Sequence, residues 1–211
     1  MNGIQFGNYH SYDDLSLILS KKEMGSPDIK KNEVDIQGAD GVLDYTEYFG
    51  DIKYTNRLLK FDFAVINQAN FLTHYSNVQD KLHGKKVQII LDEEPGYYYT
   101  GRLSVSPYTN EKGIGYISIE CDCEPYKKKL TETVVTKAVS GATSIILNNS
   151  RQRLVPEITT DATFIIAFGS YSGTFDAGTF RIPELELVEG YNMLTVTGTG
   201  NITFRYREGR L

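Results

Sequence analysis

The sequence predicts a mainly β protein with one α-helix. Strand-forming aromatic residues and turn-forming glycines are abundant, with 15 Tyr, 10 Phe and 19 Gly among 211 residues. Apolar and polar residues alternate over several short stretches, which is the pattern of half-buried strands. Only one stretch has the three- and four-residue apolar spacing of a helix. At 40% hydrophobic residues, the chain can build a core.

The N-terminal elements follow from this alternation. Residues 10–24 are interpreted as a strand, because Leu15, Leu17 and Leu19 alternate, and residues 25–27 as a turn. Residues 34–50 are rich in turn formers, including the pair Asp40-Gly41 that favours a tight turn. Alternation resumes over residues 58–66, which are predicted to form a strand.

The helix is predicted over residues 68–83. Asn67 is the expected N-cap, and Gly84 stands where a C′ glycine belongs. The apolar stripe that indicates the helix consists of Phe71, Leu72, Tyr75, Val78 and Leu82.

Three strands are then expected, over residues 85–92, 97–106 and 114–124. Cys121 and Cys123 fall on one face of the last strand, where they cannot bridge each other, so we expect two small buried side chains. Metal ligation would need more ligands at usable spacing. The histidines, which are scattered, are His10, His74 and His83.

Pro125 and the run Lys127-Lys128-Lys129 mark the expected boundary between a domain of residues 1–130 and one of residues 131–211. The second domain is predicted to be a β-sandwich of short strands. Gly198-Thr199-Gly200 is interpreted as the turn of a hairpin. The strands are expected at about 131–138, 143–148, 155–160, 163–168, 173–182, 185–188, 191–197 and 201–207.

The net charge of −5 argues against a free-standing nucleic-acid binder. No stretch approaches 18 apolar residues, which argues against a membrane span. The N-terminus lacks the basic and apolar regions of a signal peptide, so we expect synthesis into the cytoplasm.

Catalytic motifs are not found in the sequence: we see no nucleophile elbow, zinc-protease motif or phosphate-binding loop. Carboxylates at Asp92-Glu93-Glu94 and at Glu184 and Glu186 could serve a glycosidase, but a loop and a solvated strand face explain them better. We therefore expect no catalytic residue, no metal and no cofactor.

Residues 34–63 contain a pattern of apolar, glycine, aromatic and charged residues at nine positions: Ile36, Gly38, Gly41, Leu43, Asp44, Phe49, Gly50, Tyr54 and Arg57. This pattern resembles the signature stretch of the phage distal tail protein family, also called Dit. Position 37 is Gln, where that family usually has Pro. His10-Ser11 with the following strand resembles the family's opening, and residues 192–211 resemble its closing hairpin.

The resemblance implies an N-terminal β-barrel-like domain with one helix and a C-terminal galectin-like β-sandwich. It also implies a structural virion protein of a long-tailed phage or prophage, made in the bacterial host cytoplasm. Such proteins form a homo-hexameric ring that joins the tail tube protein to the tail-tip hub protein, and in many phages it holds receptor-binding proteins. DNA crosses the central channel in transit.

A ring needs an interface that closes after six copies. We expect this interface among the family-motif residues, although local packing or backbone geometry would explain each of them equally well. The candidate residues are Gly38, Gly41, Asp44, Tyr45, Tyr48, Phe49, Tyr54 and Arg57.

Two other interpretations stay open. The sandwich could be a carbohydrate-binding adhesion module of the tail tip, or the carboxylates could belong to a glycosidase or peptidoglycan hydrolase. Some members of the family carry an inserted carbohydrate-binding module, but a domain of residues 131–211 has no room for one. We therefore expect that the protein does not itself bind the host saccharide.

Overall fold

The computed structural model describes residues 3–48, 50–66, 70–111 and 113–211. The chain divides into two compact units. The first comprises residues 1–127 with Leu211, and the second comprises residues 128–210. Each unit has a hydrophobic core of its own.

The first unit contains the helix and a curled half-barrel sheet. Its elements are β1 (Ile4–Phe6), β2 (Tyr9–His10), β3 (Ile18–Met24), β4 (Glu33–Asp35), β5 (Val42–Asp44), β6 (Arg57–Ile66), α1 (Phe71–Leu82), β7 (Lys86–Leu91), β8 (Tyr97–Val105), β9 (Thr109–Glu111) and β10 (Ile114–Cys123), and β11 (Lys127–Lys129) spans the boundary. The strands run in the order β2-β1-β7-β8-β10-β6-β3, with β9 beside β10. The predicted mainly β fold with one helix is therefore confirmed.

The register between β6 and β10 builds the core of this unit. Phe61 lies opposite Ile119 and Leu59 opposite Cys121, so that alternate residues of both strands are buried together. Both cysteines are free and fully buried, as expected. Burial raises the pKa of both thiols, to about 12 for Cys123.

The helix begins one turn later than predicted. Asn70 is the N-cap, since its side-chain oxygen accepts a hydrogen bond of 3.2 Å from the backbone N–H of Thr73. The expected N-cap, Asn67, lies outside the described residues. Val78 and Leu82 are buried in the core, whereas Leu72, which the apolar stripe includes, is 66% exposed.

The predicted strand over residues 10–24 is wrong in its first half. Backbone N–H groups of Asp14 and Ser16 donate to the carbonyl oxygens of His10 and Tyr12, so this segment is a series of turns. Strand β3 begins only at Ile18. Leu15 and Leu17 are nevertheless buried. Their alternation in the sequence therefore indicated correctly that the side chains are buried, but it did not indicate an extended backbone.

The second unit is organised by two long strands. Its elements are β12 (Thr133–Asn149), β13 (Glu157–Thr160), β14 (Phe164–Phe168), β15 (Tyr171–Phe175), β16 (Gly178–Arg181), β17 (Gly190–Tyr206) and β18 (Gly209–Arg210). Strands β12 and β17 pair over their whole length, whereas the sequence predicts each as two strands. Residues 185–188 form no strand; Leu187 makes only an isolated bridge to Leu154.

A single sheet supplies both layers of the second unit. Strand β14 pairs with the first half of β17 and β13 with its second half, and β15 and β16 lie outside them. Alternate residues from both halves, such as Val196 and Phe204, are buried in one cluster. The sheet must therefore bend so that its two halves face each other.

The bend contains Gly198 and Gly200, which the sequence predicts as a hairpin turn and which instead lie within β17. A Cβ on Gly198 would come within 2.5 Å of the Phe164 ring and 2.9 Å of the Thr163 carbonyl oxygen. Asp161 holds β17 in place next to this bend, because its carboxylate accepts hydrogen bonds of 2.6 Å from the backbone N–H of Asn201 and 2.7 Å from its side-chain amide.

The C-terminal end of this unit is held by Glu208. Its side chain is 9% exposed. Its carboxylate accepts hydrogen bonds from Lys129 Nζ, from Thr133 Oγ1 at 2.9 Å and from Ser150 Oγ at 2.7 Å. Burial by itself raises the pKa of Glu208, but these three donors outweigh it and lower the pKa.

The bend predicts an effect of adding one methyl group. Gly198→Ala should lower the free energy of unfolding by about 1–3 kcal/mol more than Gly178→Ala, because the added Cβ would collide with the Phe164 ring and the Thr163 carbonyl oxygen. Gly178 is the matched control, since its φ of 157° is close to the 159° of Gly198 but its Cβ position is open. Urea unfolding measures both variants, and equal losses would contradict the crowding.

Glu208 predicts a pH-dependent loss of stability. Because its pKa is lower in the folded chain, ionisation favours folding above the unfolded pKa, and this gain is lost as the pH falls through the folded pKa. Glu208→Gln should therefore cost about 1–3 kcal/mol at pH 7 and less at pH 3. Urea unfolding from pH 7 to 3 tests this.

The control for Glu208 is Glu186→Gln, which removes a 46% exposed carboxylate that pairs with Arg153 at 3.0 Å. This change should have a small effect at every pH. A loss in Glu208→Gln that stays constant with pH would show that the charge of the Glu208 carboxylate does not stabilise its contacts with Lys129, Thr133 and Ser150.

Candidate functional site

Most of the family-motif residues lie in one projecting segment, residues 28–55, which we call the arm. Its two ends run side by side: Thr55 N–H donates to the Asp28 carbonyl oxygen and Lys30 N–H to that of Lys53, both at 2.8 Å. Ile29 and Tyr54 form an antiparallel bridge between these two bonds. The arm therefore leaves and re-enters the first unit at one place.

The arm carries the two-stranded sheet of β4 and β5. The connecting loop contains Gly38 and Gly41, whose φ angles of 89° and 76° are in the left-handed region that glycine adopts freely. Both glycines have open space around them. Both glycines allow the backbone to turn here. This agrees with the alternative that backbone geometry, and not an interface, explains these two residues.

The two faces of this hairpin differ in polarity. Val34 lies opposite Leu43 on one face, and Glu33 lies opposite Asp44 on the other. Like charges directly opposite each other destabilise a hairpin, and Lys31 compensates by pairing with Glu33 at 3.2 Å. The exposed large apolar side chains of the arm are Ile29, Val34, Ile36, Val42, Leu43, Tyr45 and Tyr48.

A turn after β5 presents two tyrosines. Hydrogen bonds from the Thr46 side chain and from Thr46 N–H, the latter 2.8 Å long, lower the pKa of the Asp44 carboxylate. Tyr45 N–H donates to the Asn32 carbonyl oxygen at 2.7 Å. The rings of Tyr45 and Tyr48 meet edge to face with centroids 5.8 Å apart, and Tyr48 is 73% exposed. Phe49 lies outside the described residues.

Arg57 lies at the root of the arm and is buried, with 7% exposure. Its Nε donates to the Gly25 carbonyl oxygen at 2.8 Å, and another guanidinium nitrogen donates to that of Pro125. The guanidinium also lies 5.2 Å from the centre of the Tyr99 ring. Arg57 thus fastens the start of β6, whereas Tyr45 and Tyr48 face solvent.

Three apolar residues of this surface were missed by sequence reasoning: Ile29, Val34 and Val42. Ile36 and Leu43 were identified as matches to the family signature but were not among the interface candidates. A signal for most of them existed. Val34 and Ile36 alternate before Asp40-Gly41, and Val42 follows it directly, which is the short-range pattern of a hairpin.

Four of the five carboxylates considered for catalysis are engaged in local contacts, including Glu186, which pairs with Arg153. Asp92 accepts a 2.7 Å hydrogen bond from Gly3 N–H, Glu94 pairs with Lys127 at 2.6 Å, and Glu93 pairs with Lys22. Within the described ranges, no three His, Cys, Asp or Glu side chains are grouped as a metal site. Nor is any described helix long and apolar enough to cross a membrane.

The contacts of Arg57 predict a structural role. Arg57→Leu should lower the free energy of unfolding by about 2–3 kcal/mol, because two carbonyl oxygens lose a charged donor. Arg57→Lys should restore part of this loss, since it keeps the charge but not the guanidinium geometry. Thermal and urea unfolding measure both. Arg205→Leu, at an exposed arginine in β17, is the control, and an equally small loss at Arg57 would contradict the fastening role.

Comparisons with known proteins bear on the fold. No family model matches the sequence, and no curated protein matches it. Among solved structures, the chain is similar to the crystal structure of the Dit protein (gp 19.1) of phage SPP1, described as a paradigm of the hub adsorption apparatus in phages that infect Gram-positive bacteria. The match covers 100% of both chains with a TM-score of 0.71 and 16% sequence identity. The chain therefore has a Dit-like fold.

Proposed function

We propose that this chain is a structural protein of a phage tail tip, without enzymatic activity. The observation that carries the proposal is the likeness to the SPP1 Dit protein, which extends over the whole of both chains at a TM-score of 0.71. The sequence resemblance over residues 34–63 points to the same family. The virion is then its site of action, after synthesis in the bacterial host.

In finer detail, we propose a homo-hexameric ring at the distal end of a siphovirus-type tail. One partner is the tail tube protein and another is the tail-tip hub protein, with receptor-binding proteins attached in addition. DNA passes through the central channel during ejection. A net charge of −5 is compatible with this passage, because a net acidic chain lacks the basic excess that holds DNA.

The arm supports the ring. A two-stranded hairpin is at best marginally stable alone in water, and this one leaves Val34 and Leu43 exposed on a common face. Such a face gains stability when a second copy covers it. An arm that docks on a different surface of the next copy makes a head-to-tail contact, and head-to-tail contacts generate rings.

The ring predicts assemblies of six chains that depend on the apolar face of the arm. In native mass spectrometry and light scattering, the wild type should form assemblies of six 23.8-kDa chains or multiples of six. Leu43→Asp should abolish them, because burial of an unpaired carboxylate is costly. Circular dichroism should stay unchanged, since Leu43 is exposed in the single chain.

Leu72→Asp is the matched control for Leu43→Asp. Leu72 is also an exposed leucine, but it lies on α1 outside the arm, so the assemblies should persist. Wild-type protein that stays below six chains at every concentration would contradict self-assembly. Equal disruption by both variants would contradict the assignment of the arm as the interface.

A further inference from the structure

The second unit leaves the edge of a long strand open. Strand β12 pairs with β17 along all 17 of its residues. Within the residues that the structure describes, no strand pairs with its other edge. Proteins normally protect such an edge with charges, proline or a bend. In β12 these devices are Lys137 and the bend at Gly141, and residues 142–149 contain no charge or proline. The Asn148 carbonyl oxygen accepts a 2.7 Å hydrogen bond from the Tyr206 hydroxyl, which leaves it one further acceptor position.

The outer sheet face beside this edge is uncharged and partly apolar. Residues 142–149 of β12 and 191–197 of β17 contain no charged residue. On this face Ile146 lies directly opposite Met193, and the two are 56% and 65% exposed. Tyr191, on the same face, is 83% exposed. Tyr and Met are enriched in protein interfaces, and charges are depleted at interface centres.

We propose that β12 pairs antiparallel with β12 of a second copy about a two-fold axis at Ile146. The pairing extends from residue 143 to residue 149 of each copy, with Ile145 opposite Leu147 and Ser144 opposite Asn148. Every side chain in this segment is uncharged, so the contact desolvates no charge. Lys137 lies outside the paired segment.

A second copy fits this edge for two reasons. On the outer face, the pairing joins Met193 and Ile146 to the same two residues of the second copy in one row across four strands. This row covers apolar area that each chain alone leaves exposed. The contact is also self-complementary and closed, because both free edges are used and no third copy can add.

The pairing goes beyond the proposed tail-tip function and does not depend on the arm. It uses only residues of the second unit, whereas the proposed ring uses residues 28–55. The two contacts can therefore be tested separately in the full-length chain.

A disulfide test follows from the geometry of antiparallel pairs. Residues directly opposite each other have Cα atoms about 4.5–5.5 Å apart, which is within the span of about 4.4–6.8 Å that a disulfide bridges. Ile146→Cys should therefore cross-link to the same residue of the second copy under mild oxidation. Cys121 and Cys123 should not compete, because both thiols are buried.

Ile165→Cys is the matched control. Ile165 is 45% exposed on the same outer face, but it lies on β14, which pairs with β17 on the side away from the open edge of β12. Non-reducing gels should show a two-chain band for Ile146→Cys that dithiothreitol removes. The Ile165→Cys variant should remain a single chain on the gel.

The same cross-link should form when Leu43→Asp is added, which separates this contact from the proposed ring. Light scattering gives a second readout in that background: Ile146→Lys should reduce the mass from two chains to one, because it places like charges together at the axis. Failure of Ile146→Cys to cross-link in both backgrounds, or equal cross-linking of Ile165→Cys, would overturn the proposal.

Discussion

Both units depend on the register of one long antiparallel strand pair. In the first unit β6 pairs with β10, and in the second β12 pairs with β17 along their whole length. Because side chains alternate between the two faces of a sheet, a slip of one strand by one residue would move all the core side chains of that strand to the solvent face. The curled sheet of the first unit and the folded sheet of the second follow from which face these registers bury.

Alternation made the strands predictable, and the same signal explains the errors. It located β6 and β10 well, because Phe61, Ile119 and their neighbours repeat at every second position. It failed at Leu15 and Leu17, which are buried from a series of turns. It also broke β17 at Gly198, because a glycine that permits close packing of the Phe164 ring resembles one that makes a turn.

The candidate site was predictable as a segment but not in its division of roles. Asp40-Gly41 between apolar residues indicates a hairpin from local sequence alone. The burial of Arg57 depends on Gly25, Tyr99 and Pro125, which are distant in sequence, so no local pattern could separate it from the exposed Tyr48. The sequence was enough to identify the segment. The three-dimensional contacts were needed to distinguish the buried Arg57, which anchors it, from the exposed Tyr48.

The hydrogen-bonded cluster around Glu208 has a consequence for the evolution of this architecture. Thr133 lies opposite Tyr206, and Lys129 N–H donates to the Glu208 carbonyl oxygen at 3.0 Å, so the chain enters and leaves the second unit at adjacent points. A module with neighbouring ends can be inserted, enlarged or exchanged while the path of the remaining chain is kept. Exchange of residues 128–210 as one block would therefore leave the core of residues 1–127 intact.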